Sequence, residues 1–148
     1  MYIKLYICGM SYEEKGVWVY LVAGLGSYAV YLVIVLGQAA RMPLVETAYV
    51  VPLLATIGLS MALAIVGRIV LEMVRPSDNY RRDDRDRAIH RLGEYRGQWF
   101  LVAGALGALV LALIDSETFW IANIIYLSFH LSALTGSILK LVSYRRGF

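Results

Sequence analysis

Four long apolar stretches constrain this chain more than any other feature. They cover residues 16–38, 48–70, 98–114 and 119–142. A helix needs about 20 mostly apolar residues to cross the hydrocarbon layer of a bilayer, which is about 30 Å thick. Hydrophobic residues make up 59% of the sequence, above the roughly 45–50% of soluble domains. Four such stretches in a short chain leave no polar helix face that could cover a soluble core. We therefore predict an all-α fold, an integral membrane four-helix bundle that forms one domain over residues 1–148.

Lysine and arginine are distributed unequally among the connections between these stretches. The segment 75–97 holds seven arginines, and Arg145 and Arg146 follow the last stretch, whereas the other two connections contain only Arg41. The four stretches predict a multi-pass protein of the cell membrane. Because basic connections are retained in the cytoplasm, we expect its two termini and the segment 75–97 to be cytoplasmic.

The first residues do not resemble a signal peptide, since they lack a sufficient apolar core and a small-residue cleavage site. Residues 1–9 are expected to be a tail, or else translation begins at Met10, where a hydrophilic lead-in follows. Cys8 is the single cysteine, so we expect no disulfide framework within the chain.

The segment after the second stretch predicts a helix that continues into the third. Pro76 and its polar neighbours indicate a break, and Asp83 and Asp84 suit a helix start because carboxylates cap free N–H groups there. If the helix is unbroken to Ile114, it is about 48 Å long at roughly 1.5 Å per residue. We therefore expect the third helix to extend into the cytoplasm.

The segment from Asp83 to Glu94, which reads DDRDRAIHRLGE, resembles the "DERD" segment of a group of uncharacterised small bacterial and archaeal membrane proteins. In those proteins an acidic-arginine helix start leads into a transmembrane helix after a membrane hairpin. This chain has Asp84 where the group usually has Glu, and Ala88 where a charged residue often lies. The group brings no established activity. The resemblance implies a similar four-span architecture, and the occurrence of some members beside helix-turn-helix regulators points towards signalling.

One side of the predicted cytoplasmic helix carries residue types that bind metals: Asp83, Asp86, His90 and Glu94. Side chains about one turn apart can meet at one divalent ion. They can also form a solvated face held by ion pairs to neighbouring arginines, each contributing about 0.2–0.5 kcal/mol, or a face for a cytoplasmic protein partner. We expect the solvated face, with metal and partner as alternatives, and no other cofactor.

The fourth stretch carries a polar stripe inside an otherwise apolar helix, formed by Asn123, Tyr126, His130 and Ser137. An ionisable group at this depth is costly and usually faces the bundle interior. We expect His130 to be neutral and hydrogen-bonded to Tyr126 or to a hydroxyl of another span. Proton relay, haem ligation and ligand contact are the alternatives.

Small residues at helical spacing predict close contacts between helices. They are Gly58 and Ala62 in the second stretch, Gly104 and Gly107 in the third, and Gly136 in the fourth. We expect a homodimer that uses the small residues of the third and fourth stretches.

These features favour the first of two functions, because the spans carry one histidine rather than the several buried charges or broken helices usual in transporters. The first is a non-enzymatic accessory or regulatory membrane protein that presents its charged cytoplasmic helix to a partner. The second is a small oligomeric transporter or channel in which His130 lines a pathway. The chain has no His-Glu-x-x-His motif and no phosphate-binding glycine loop, so we do not expect an enzyme. Its arginines alternate with carboxylates, so we expect contact with lipid headgroups rather than nucleic acid.

Overall fold

A computed structural model describes residues 12–74 and 84–146, and this part of the chain is entirely helical apart from its connections. Its four long helices are α1 (Tyr12–Ala39), α2 (Val50–Val74), α3 (Asp84–Leu113) and α4 (Thr118–Arg146). A short 3-10 helix, Leu44–Glu46, lies between α1 and α2. The predicted all-α fold with four long helices is confirmed, and each predicted stretch falls within a helix except for residues at its ends.

All four helices are long and apolar enough to cross a membrane. Their most apolar windows are at most 22% buried inside the protein, and large side chains such as Val33, Val51 and Leu113 are more than two-thirds exposed. Exposed apolar surface on this scale is unfavourable in water and suits contact with hydrocarbon. Length, composition and exposure together indicate a multi-pass membrane protein.

The helices are arranged as two hairpins that share one central contact. α3 packs most extensively on α4, α1 packs on α2, and α1 also packs on α4. α2 and α3 hardly contact each other. The two central helices are therefore α1 and α4, and a cleft separates α2 from α3.

Glycines allow α3 to lie very close to α4. A Cβ atom placed on Gly97 would lie 2.7 Å from the carbonyl oxygen of Ser132, and one on Gly93 would lie 2.8 Å from that of Gly136. Gly104 faces the Ser128 side chain in the same way. These contacts leave no room for a larger residue, so this close packing depends on glycine.

The core lies near the end of the bundle that holds the α1–α2 and α3–α4 connections. It contains Tyr31, Val35, Phe119 and Tyr126. The α3–α4 connection turns sharply through Asp115, whose φ of 52° is in the left-handed region that Asp tolerates better than most residues. These short connections hold α1 beside α2 and α3 beside α4.

Candidate functional site

The cleft between α2 and α3 has a volume of about 810 Å³ and is lined by all four helices. Small residues such as Gly16, Ala64 and Ala133 line it, and their short side chains leave this space open. Its polar lining residues are Tyr20, Ser60, Arg68, His90, Glu94, Gln98, His130, Ser132, Ser137 and Lys140. A cavity of this size with a few polar groups is typical of a ligand site.

Charged residues gather at the end of the cleft where α1 and α3 begin and α4 ends. Lys140 donates from Nζ to Glu94 Oε1 over 3.3 Å, and His90 Nδ1 lies 3.4 Å from the same oxygen. Arg145 Nε lies 3.8 Å from Glu14 Oε1. These pairs join α3 to α4 and α1 to α4 at what we call the charged end of the cleft.

Glu94 precedes the apolar part of α3, which begins at Gln98. Partial burial on its own would raise the pKa of Glu94, but the ammonium of Lys140 and the imidazole of His90 bring it below its ordinary value. The Lys140 side chain is only 12% exposed. The carboxylate therefore stays charged at neutral pH and partners a largely buried cation.

The predicted acidic-histidine face is only partly described, because Asp83 lies outside the described residues. His90 and Glu94 both line the cleft, and Asp86 is half-buried. Within residues 12–74 and 84–146, the structure brings no three His, Cys, Asp or Glu side chains together as a metal-binding group. Glu94 instead pairs with Lys140 of α4, so this face is partly turned towards the partner helix of the same hairpin.

His130 lies on α4 farther along the cleft and is held on three sides. Its Nδ1 atom lies 2.9 Å from the backbone carbonyl oxygen of Tyr126. The ring stacks on Tyr28 of α1 at a centroid distance of 4.4 Å, and the Tyr126 ring meets it edge-on at 4.4 Å. The partner of His130 is thus Tyr126 through its backbone, and an aromatic ring of another helix fixes the imidazole plane.

Beyond His130 the space between the helices is filled by what we call the closed layer, formed by Tyr31, Thr56, Asn123 and Tyr126. The Tyr126 hydroxyl lies 3.0 Å from Thr56 Oγ1, and the Tyr31 hydroxyl donates to Asn123 Oδ1 over 2.6 Å. Tyr31, Thr56 and Tyr126 are 1%, 3% and 5% exposed. The closed layer therefore joins α1, α2 and α4 beyond the cleft, towards the end of the bundle that holds the short connections.

The predicted polar stripe of α4 is divided between these two regions. Asn123 and Tyr126 belong to the closed layer, whereas His130 and Ser137 line the cleft. Sequence reasoning missed the partners on other helices, which are Tyr28, Tyr31 and Thr56. Tyr28 and Tyr31, three residues apart in the first apolar stretch, could have indicated these partners, since a buried Tyr hydroxyl usually finds a hydrogen-bond partner.

The predicted small residues also have different surroundings. Gly104, Gly107 and Gly136 lie at the contact between α3 and α4 of one chain. A Cβ atom on Gly58 would meet nothing within 4 Å, and Gly58 and Ala62 are exposed on α2. The first group therefore acts within the α3–α4 hairpin.

The arrangement suits reversible binding and proton exchange, because one cleft is lined both by the charged residues Arg68, Glu94 and Lys140 and by the imidazole of His130. The chain matches no family model, and neither a curated protein nor a solved structure shows significant similarity to it. The resemblance of the segment from Asp83 to Glu94 to the "DERD" group therefore stays a prediction.

Proposed function

We propose that the chain is a small transport unit of the cell membrane that moves a proton or a small polar solute through the cleft that ends at His130. The observation that carries this proposal is the cleft itself, which joins the charged end to His130 and is followed directly by the closed layer. A pathway that is open on one side and shut by a few side chains on the other is the arrangement a transporter needs in one of its states.

The length of the polar route supports the proposal. Lys140, Ser137, His130, Tyr126 and Asn123 follow one another along α4. Their 17-residue separation corresponds to about 26 Å of helix at roughly 1.5 Å per residue. This is close to the ~30 Å thickness of the hydrocarbon layer. Polar groups inside spans are rare and commonly mark ion pathways or proton relays.

The closed layer is where such a unit would have to open. Its two hydrogen bonds join α4 to α1 through Tyr31 and to α2 through Thr56. Hydrogen bonds between membrane helices contribute only about 0.6 kcal/mol on average, so breaking two of them is compatible with thermal opening. We assign the gate of the transport unit to this layer.

The test is a flux measurement on purified protein in liposomes that contain a pH-sensitive dye. With a potassium gradient and valinomycin as the driving force, we expect the wild type to raise proton flux above that of protein-free liposomes. His130→Gln and His130→Leu should both abolish the increase while the helical content by circular dichroism remains unchanged. Tyr95→Phe, a change on an exposed part of α3, is the matched control and should retain the flux.

Flux that persists in both His130 variants would contradict a role for His130 in the pathway. An absence of flux in the wild type, for protons and for small ions supplied in their place, would reject the transport function.

A second function is supported by the outer side of α3. Arg85, Arg87, Arg91, Tyr95 and Trp99 are all exposed there. We propose that this side contacts a cytoplasmic protein partner, in an accessory or regulatory role. A photo-crosslinking residue at Arg91 should then give a discrete protein adduct in cells, whereas the same residue at the exposed, apolar position Leu109 should give lipid adducts. Identical adducts at both positions would count against a partner.

A further inference from the structure

We infer that His130 is held as the Nδ1–H tautomer, so that its Nε2 atom is the proton and hydrogen-bond acceptor at the inner end of the cleft. The role of this atom in transport rests on the proposed function, but the tautomer and its accessibility do not.

The tautomer follows from the hydrogen bond to Tyr126. A carbonyl oxygen has only lone pairs to offer, so the proton of the 2.9 Å contact must be carried by Nδ1 of His130. A neutral imidazole has a single N–H. Nε2 therefore carries a lone pair as long as the ring is neutral.

The hydrogen bond that holds the ring engages Nδ1 and not Nε2. Nδ1 is engaged by the helix itself, one ring face is covered by Tyr28, and the Tyr126 ring contacts it from the side. His130 is half-buried and lines the cleft. Tyr28 acts as a positioning residue, because its stacked ring restricts rotation of the imidazole out of this orientation.

Charged groups that line the same cleft lie towards its charged end. They are Arg68 on α2, Glu94 on α3 and Lys140 on α4, together with the titratable His90. Lys140 is ten residues from His130, or about 15 Å along the helix. From α1 the titratable neighbours are Tyr28, in direct contact, and Tyr20, which lines the cleft.

This geometry defines the class of solute. A lone pair beside aromatic rings accepts a proton, or a hydrogen bond from the N–H or O–H group of a small molecule, and it repels a group that offers only lone pairs. Protonation at Nε2 leaves the Nδ1 bond to Tyr126 in place, so the ring can take up and release a proton without reorienting.

Nitrogen-15 spectroscopy of the two ring nitrogens tests the tautomer. The chain contains two histidines, so His90→Gln leaves His130 as the single labelled imidazole. When the ring carries a single proton, in detergent or lipid, we expect that proton at Nδ1 and none at Nε2. A neutral ring with its proton at Nε2 would overturn the inference.

Chemical modification tests whether Nε2 is reached through the cleft. Diethyl pyrocarbonate transfers a carbethoxy group to an unprotonated imidazole nitrogen, and mass spectrometry locates the adduct. We expect modification of His130 in the folded protein, slowed at least several-fold by Ala133→Phe, which narrows the cleft one turn away. Ala105→Phe, on an exposed position of α3 outside the cleft, is the matched control and should leave the rate unchanged.

The two proposals fail separately. Equal modification rates in both variants, or no adduct on folded protein, would overturn the accessible acceptor. The expected tautomer and the expected protection, found in a protein that gives no flux, would reject transport and leave the acceptor site standing.

Discussion

At the scale of single residues, the polar groups inside the bundle are paired with one another. Tyr126 contacts Thr56 through its hydroxyl and His130 through its carbonyl, while Tyr31 binds Asn123. A bilayer offers no water to an unpaired polar group, which is the physical reason for this pairing. The stripe on α4 was readable in the sequence, because its spacing lies within one helix. Its partners on α1 and α2 depend on how the helices pack.

We predict a measurable coupling between Tyr126 and Thr56. Tyr126→Phe and Thr56→Val each remove one member of the 3.0 Å contact, and a double-mutant cycle isolates their interaction. We expect a coupling of about 0.6 kcal/mol, and no more than about 1.7 kcal/mol, in the free energy of unfolding. The measurement is denaturation in mixed micelles.

Thr47 provides the control for this cycle. Its hydroxyl donates to the Leu44 carbonyl in the α1–α2 connection and not to Tyr126. Thr47→Val combined with Tyr126→Phe should give additive effects. Additivity in the Thr56 cycle as well would contradict the hydrogen bond between Thr56 and Tyr126.

At the scale of helices, α3 has three different sides. The side that carries Gly93, Gly97 and Gly104 lies against α4. A second side lines the cleft with His90 and Glu94, and the outer side is exposed. The sequence predicted the close approach of small residues but assigned Gly104 and Gly136 to a homodimer. The structure uses both within one hairpin, since helices joined by a short connection are the first to meet. A homodimer stays a prediction, and Gly58 and Ala62 on α2 remain exposed as its available small-residue surface.

We predict that a glycine-to-leucine substitution will lower the free energy of unfolding when it is made in α3 and will hardly change it when it is made in α2. Gly104→Leu should destabilise the α3–α4 hairpin by about 1–3 kcal/mol, because the new side chain has to displace Ser128. Gly58→Leu should change the free energy of unfolding by less than about 0.5 kcal/mol, because nothing lies within 4 Å of a Cβ atom at that position. Unfolding of both variants in micelles provides the comparison.

The mass of each variant in lipid nanodiscs complements the stability measurement. If the homodimer forms through α2, Gly58→Leu should weaken the dimer. Gly104→Leu should instead lower the stability of the monomer fold. A wild type that is monomeric at every accessible concentration would reject the homodimer, and equal destabilisation by the two substitutions would contradict the packing of α3 on α4.

At the scale of the whole molecule, two hairpins meet through α1 and α4 and leave a cleft between α2 and α3. The beginning of α1 and the end of α4 lie at the charged end of this cleft, as the pairing of Glu14 with Arg145 requires. The excess of lysine and arginine at the termini and in the segment 75–97 favours a cytoplasmic location for that end. In the predicted orientation, the charged end of the proposed pathway lies on the cytoplasmic side.

We predict that topology reporters will place both termini and Asp84 on the cytoplasmic side. Fusions at Met1, Asp84 and Phe148 should give cytoplasmic signals, and fusions at Pro43 and Glu117 should give external ones. An external signal at Asp84 would reverse the orientation of the cleft and end the proposal of a cytoplasmic partner for α3.

The sequence by itself determined what each helix is. Apolar length set the four helices, the carboxylate of Asp84 lies at the start of α3 as predicted, and the spacing of Asn123, Tyr126, His130 and Ser137 placed a polar stripe on α4, whereas the predicted break at Pro76 lies outside the described residues. These properties depend on neighbours within a few turns, so they can be read locally. Tertiary structure decided which helices touch, and therefore that Tyr28 stacks on His130, that Gly104 faces Ser128, and that a cleft lies between α2 and α3. In a bundle whose helices are apolar on almost every side, hydrophobic pattern gives no preferred face, and close contacts and hydrogen bonds between helices select the arrangement.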